Sequence, residues 1–214
     1  CTALENLLCS NNQLMSLDLS GCMALERLSC GYNQLTNLDG LDCTALKSLG
    51  CSGNQFSSLD LSGCTALEGL KCSGNQLTSL NVSGCVAMEG LYCSGNQLTS
   101  LDVLDCSALK ILHCYDNQLT SLDLSGCMAL ESLYCYNNQL TNLDVFTALE
   151  SLYCYNNPIT QMITDSFSGI RYFQYDRRYD YDTDADGKIR WNYIYDDGHG
   201  WYYPGEPQKG YHGK

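Results

Sequence analysis

The sequence predicts a solenoid: a right-handed stack of eight short coils with a parallel β-sheet along one side and tight turns along the other. Two observations carry this expectation. The first is self-similarity at a period of 21 residues, from CTALENLLCSNNQLMSLDLSG through units opening at Cys22, Cys43, Cys64, Cys85, Cys106 and Cys127, with an eighth at Phe146 after a loss of two residues. The second is which positions stay apolar. The shared pattern CxALxxLxCxxNQLxxLDLSG repeats Leu and Cys on one side of each unit, and a single coil cannot bury such a face alone.

Each element follows from that pattern. In LxxLxC the second Leu and the Cys are two apart, as in Leu133 and Cys135, so they share one side of a short strand while Ser132, Tyr134 and Tyr136 share the other. The Ser-Gly or Leu-Asp step before each unit, as at Ser62 and Gly63, breaks the period and predicts a return turn or a short 3₁₀ segment instead of a long helix. The pattern fades near Met162. We therefore expect a solenoid of eight coils over 1–162 and an aromatic-rich cap or appendage over 163–214.

LxxLxCxxNxL resembles the leucine-rich-repeat signature, with Cys at a strand position where Leu is common. Units of 21 residues carrying that Cys are similar to bacterial surface leucine-rich-repeat proteins, above all the internalin subgroup with its cysteine ladder. The resemblance covers about three quarters of the chain. It implies a horseshoe-like leucine-rich-repeat solenoid, with the parallel sheet concave and the turns or 3₁₀ segments convex. It also implies a non-enzymatic recognition scaffold, secreted or at the bacterial cell surface. Two departures stand out: no typical amino-terminal cap precedes Cys1, and no cell-wall sorting motif is present, so that family's anchoring mode is not supported.

Composition removes several function classes. With 24 acidic and 11 basic side chains the net charge is −13, which repels nucleic acid and anionic membrane surfaces. No apolar run approaches the roughly 20 residues that membrane insertion needs. The first residues lack signal-peptide order, and a mature or excised piece is the expectation. Catalytic residues are not expected either: GxSxG, HExxH and P-loop motifs are missing, and His113, His199 and His212 lie far apart in sequence.

The 15 cysteines fall into two rows, one opening each unit and one ending each strand. Equivalent side chains should point in parallel into the core, so free packing thiols are expected over disulfides or a metal site. The row from Asn12 and Asn33 to Asn157 should use its amides to satisfy backbone groups of its own turn and of the neighbouring coil. The row Asp18, Asp39, Asp60, Asp102, Asp123 and Asp144, with Asn81 standing in once, should accept hydrogen bonds from the following turn. A repeated row lacks the differentiated pair that acid–base catalysis requires.

Residues 163–214 contain nine Tyr, two Phe and two Trp. Phe167, Ile170, Tyr172 and Phe173 are expected to cover the last coil. RRYDYDT and KIRWNYIYDD around DADG read as a β-hairpin with Ile189, Trp191, Tyr193 and Tyr195 on one face. Within it Asp182, Asp184 and Asp186 match positions 1, 3 and 5 of a calcium loop, but position 12 is Tyr193 and flanking helices are missing, so no cofactor is expected and calcium stays the alternative to an acidic turn.

Function is sought on the outward strand positions. Early coils present Asn, Ser, Gly and single basic residues there, whereas coils five to eight present Tyr92, His113, Tyr115, Tyr134, Tyr136, Tyr153 and Tyr155. Coils three and four manage with Gly, Ser and Lys, so packing does not demand the rings. Tyr suits recognition because it offers a flat apolar body and one hydroxyl at little rotamer entropy. The expected function is protein–protein interaction by a monomer through this concave aromatic face. Carbohydrate binding by the aromatic carboxyl end, through residues such as Trp191 and Trp201, and a spacer role in a larger surface protein are the alternatives. A fold-back of the tail over the rings, or ring stacking for its own sake, would remove the site.

Overall fold

The computed structural model describes residues 1–41, 43–145 and 149–164, with side chains up to residue 160 except those of 145–148, together with four further strands. The strands in chain order are β1 (Asn6–Leu8), β2 (Arg27–Ser29), β3 (Ser48–Gly50), β4 (Ser58–Asp60), β5 (Gly69–Lys71), β6 (Ser79–Asn81), β7 (Gly90–Tyr92) and β8 (Ile111–His113). They continue with β9 (Ser132–Tyr134), β10 (Asn142–Val145), β11 (Ser151–Tyr153), β12 (Gln161–Thr164), β13 (Tyr172–Gln174), β14 (Arg178–Thr183), β15 (Ile189–Tyr195) and β16 (Trp201–Tyr202). No helix occurs among the described residues, and turns fill the return side of each coil.

One sheet of ten strands runs the length of the molecule in the order β1-β2-β3-β5-β7-β8-β9-β11-β13-β16. Its pairs are parallel up to β13, and the register joins equivalent repeat positions, Leu70 to Leu91 and Tyr92 to His113 among them. The two-residue loss in the seventh unit is absorbed outside the strands, since Ser132 still pairs with Ser151. The alternation is as the spacing requires. Leu91, Cys93, Leu112, Cys114, Leu133 and Cys135 are fully buried, and the residues between them face outward.

Buried amides tie the coils together. Asn96 donates from Nδ2 to the carbonyls of Cys72 (3.1 Å) in the preceding coil and Cys93 (3.0 Å) in its own, and its Oδ1 accepts from the Leu77 N–H at 3.0 Å. The same arrangement repeats at Asn33, Asn54, Asn75, Asn117, Asn138 and Asn157. The residue before each amide turns left-handed, with φ of +54° at Tyr32, +65° at Gly53 and +54° at Asp116. At Gly53 a Cβ would meet the exposed Tyr32 ring at 2.7 Å, so a side chain there would require that ring to move. The Asp row behaves as an acceptor: Asp18, Asp60, Asp102 and Asp123 each take the N–H two residues on, as does Asn81. Bonds from the Ser20 hydroxyl and N–H, and from the N–H and hydroxyl of Ser62 and Ser125, hold the Asp18, Asp60 and Asp123 carboxyls below the ordinary carboxylate range.

A second line of strands was not foreseen. β4 and β6 pair in parallel on the Ser-Leu-Asp segment, and β10 pairs with β12 in a further sheet ordered β10-β12-β15-β14. The carboxyl-terminal strands join both lines. β13 continues the main sheet beside β11, with Leu152 opposite Phe173, and β16 follows it in antiparallel sense. β15 lies antiparallel to β12 and to β14, so the expected strand pair around DADG is present in the backbone. Phe167 and Ile170 lie outside the described residues.

The cysteine rows require one correction. Cys43 and Cys64 form a disulfide across adjacent coils, with Cα atoms 5.2 Å apart, where free thiols were expected. The expectation treated the row as uniform, yet Cys43 is only half-buried, and its coil places the left-handed glycine at Gly40 instead of directly before the Cys as at Gly63. The remaining thirteen are free, and all but Cys1 and Cys9 are buried. Burial pushes the Cys93 thiol up to about 12, which suppresses the reactive thiolate. Titration of denatured, unreduced protein is therefore expected to yield thirteen thiols, with only Cys1 reacting rapidly in the native state. A count of fifteen, or a ladder of several disulfides, would contradict this arrangement.

Candidate aromatic recognition face

The in-register sheet stacks equivalent outward positions at the strand spacing of about 4.8 Å. Where those positions are aromatic, rings must meet. All seven sequence-predicted residues are half-buried and fall into two adjoining columns. In the first, Tyr92 meets His113 edge-on at 4.9 Å, His113 stacks on Tyr134 at 4.2 Å with planes 14° apart, and Tyr134 meets Tyr153 at 4.5 Å with a tilt of 53°. In the second, Tyr115, Tyr136 and Tyr155 form a regular stack, with centroids 4.4 and 4.5 Å apart and planes within 10°. His113 and Tyr115, 6.2 Å apart, join the columns.

This packing sets the chemistry of the surface. Burial lowers the His113 pKa, so the imidazole stays neutral against its Tyr neighbours at neutral pH. Burial first, then the neighbouring phenols, raise Tyr134 and Tyr136 above the ordinary phenol range. The hydroxyls are thus neutral donors and acceptors. A neighbouring row supports the second column: Asn137 donates to Asp116, and Asn156 donates to Asn137 at 2.6 Å, each one residue beyond a column Tyr.

Sequence reasoning missed one participant. Lys71, counted there among the bland early positions, places its Nζ 5.6 Å from the Tyr92 ring centroid and closes the first column. The 21-residue offset between Lys71 and Tyr92 was the available signal. Among the described residues no cluster of His, Cys, Asp and Glu could hold a metal ion. Of the calcium candidates, Asp184 and Asp186 lie outside the described residues, and Asp182 is described only as backbone of β14, opposite Arg190.

A family profile described as "Leucine Rich repeats (2 copies)" matches residues 2–43, 86–126 and 129–168, more than half of the chain. The chain belongs to the leucine-rich-repeat family. Among solved structures, this leucine-rich-repeat chain is similar to the functional domain of InlJ from Listeria monocytogenes, which includes a cysteine ladder: 29% identity and a TM-score of 0.57, over 81% of this chain and 44% of that one. The leucine-rich effector YopM from Yersinia pestis gives 27% identity and a TM-score of 0.70, over 80% of this chain and 49% of that one. A Shigella effector leucine-rich-repeat domain gives 28% and 0.59, over 73% and 70%. The chain thus spans less than half the length of the InlJ and YopM chains. No curated protein matches it significantly. Leucine-rich repeats serve in general as protein-interaction scaffolds, typically without enzymatic activity. Among the described residues no helix is long and apolar enough to cross a membrane.

Proposed function

We propose that this leucine-rich-repeat chain is a monomeric recognition module, secreted or displayed at a bacterial surface, that binds a protein partner through the aromatic face of coils five to eight. The observation that carries the reading is the confinement of the rings. Outward positions of β2, β3 and β5 hold Arg, Ser, Gly and Lys in the same backbone geometry, so the fold itself does not require Tyr at β7 to β11. The same differentiation disfavours a spacer, which has no use for one distinctive end. Carbohydrate binding by the carboxyl-terminal aromatics is the second reading, and the concentration of Trp and Tyr in residues 189–203 favours it.

A protein and glycan array probed with the wild-type chain and two double variants tests this. Tyr134→Ala with Tyr153→Ala is expected to keep the melting temperature within about 3 °C and to lose all protein ligands, because the rings are outward and only half-buried. Ser48→Ala with Ser52→Ala should change neither. Normal binding by the Tyr variant would sink the proposal, and glycan binding that survives it would shift the site to the carboxyl end.

A further inference from the structure

Basic residues on the outward strand positions are confined to the early half and its border with the aromatic columns. The early half carries Arg27 on β2 and Lys71 at the end of β5. Residues 127–160, which build the two coils holding Tyr134, Tyr136, Tyr153 and Tyr155, contain no Lys, Arg or His at all. One rim is acidic along both halves: Glu5, Glu26, Lys47 and Glu68 precede the early strands, with Lys47 paired to Glu26 at 2.9 Å, and the later half continues it. The residue preceding each strand is Glu89, Lys110, Glu131 and Glu150 in successive coils, and the single cation is already paired, Lys110 Nζ lying 3.1 Å from Glu89. Glu131 and Glu150 are exposed and form no ion pair among the described residues. On the other side of the rings stands exposed Asp116.

The ring geometry narrows the choice further. A sugar or a planar ligand needs a free ring face, but the faces of Tyr136 are taken by Tyr115 and Tyr155 at 4.4 and 4.5 Å. That column offers ring edges and a comb of neutral hydroxyls. The first column keeps tilted, partly open rings at Tyr92 and Tyr153, and at its early end a cation of the chain itself lies against the ring. An open aromatic face, hydroxyl acceptors and carboxylates that form no ion pair among the described residues are, within one patch, the groups that guanidinium and ammonium ions seek.

We infer that the aromatic face of coils six to eight takes a basic polypeptide segment, an extended or loop stretch bearing several Arg or Lys, with the Tyr153 ring and the Tyr134 hydroxyl receiving the cationic side chains and Glu131 and Glu150 neutralising them. This rests on the reading of the face as a protein-binding surface and specifies the chemistry of the partner. Anionic partners are excluded by the same charges that attract basic ones.

Fluorescence anisotropy with labelled ten-residue peptides of alternating Arg and Ser provides the test, with Glu/Ser and Asn/Ser peptides as controls. Ten extended residues span about 33 Å, enough to cross β7 through β11. The Arg peptide is expected to bind at least about tenfold more tightly than either control, and to weaken at least about fivefold between 50 and 300 mM NaCl. Glu131→Gln with Glu150→Gln should weaken it about tenfold, and Tyr134→Ala with Tyr153→Ala should abolish it. The inference is overturned if the Asn/Ser peptide binds equally well, if the Glu pair has no effect, or if the Arg peptide fails to bind the wild-type chain. In each of those cases Tyr-dependent ligands on the array would still uphold the aromatic face as a binding surface, while their loss would remove both.

Discussion

Replacing Asn96 by alanine is expected to lower stability by about 2–3 kcal/mol, because one truncation strands a buried backbone N–H and takes one of two amide donors from each of two buried carbonyls. Leu77 loses the acceptor of its N–H, while the carbonyls of Cys72 and Cys93 lose one of two amide donors each and keep those of Asn75 and Asn117. An unsatisfied buried group costs roughly 1–3 kcal/mol, and each carbonyl left with a single donor adds a smaller amount. Asn96→Asp should be about as harmful, since it keeps the acceptor but turns an oxygen toward two carbonyl oxygens. Asn12 supplies the internal control. It is exposed and bonds only to the carbonyls of Cys9 and Ser10 in its own coil, so Asn12→Ala should cost less than about 1 kcal/mol. Urea unfolding of the three variants measures the difference, and equal losses at Asn12 and Asn96 would refute the bridging role.

Removal of residues 165–214 is expected to cost a further large amount, about 3–5 kcal/mol, or roughly 10 °C in melting temperature for a chain of this size. β11 would lose the three residue pairs it makes with β13, and β12 the four it makes with β15. Both lines of strands would then end in unpaired backbone, a template for edge-to-edge association. Calorimetry and size-exclusion chromatography of the truncated chain report the two consequences separately. A truncated chain that melts normally and stays monomeric would mean that the carboxyl-terminal strands are an appendage and not a cap.

Much of the aromatic face was legible because stacking in register is implied by a strict repeat. Once Leu91, Leu112 and Leu133 are known to be inward equivalents, Tyr92, His113 and Tyr134 must be outward neighbours at one strand spacing. The part Lys71 plays was not legible in the same way. Its aliphatic stem has many rotamers, and only the placed side chain shows that the ammonium rests against Tyr92 instead of reaching into solvent. The acidic rim was visible as single residues, but its meaning depends on which carboxylates are already paired, and that is a matter of distance: Glu89 is engaged by Lys110, whereas Glu131 and Glu150 form no ion pair among the described residues.

The amino-acid sequence by itself determined the coil length, the inward Leu and Cys positions, the bridging task of the Asn row and the acceptor task of the Asp row. It could do so because every repeat sees the same neighbours above and below, so that spacing alone translates into environment. Only the tertiary structure decided where that equivalence breaks. Cys43 and Cys64 bond although the repeat gives them the same places as the other first-row cysteines. β13 extends the main sheet where the sequence pattern has faded, because main-chain pairing is indifferent to side-chain identity. The rings stack flat in one column and tilt in the other, because ring orientation is set by contacts across coils that no single repeat encodes.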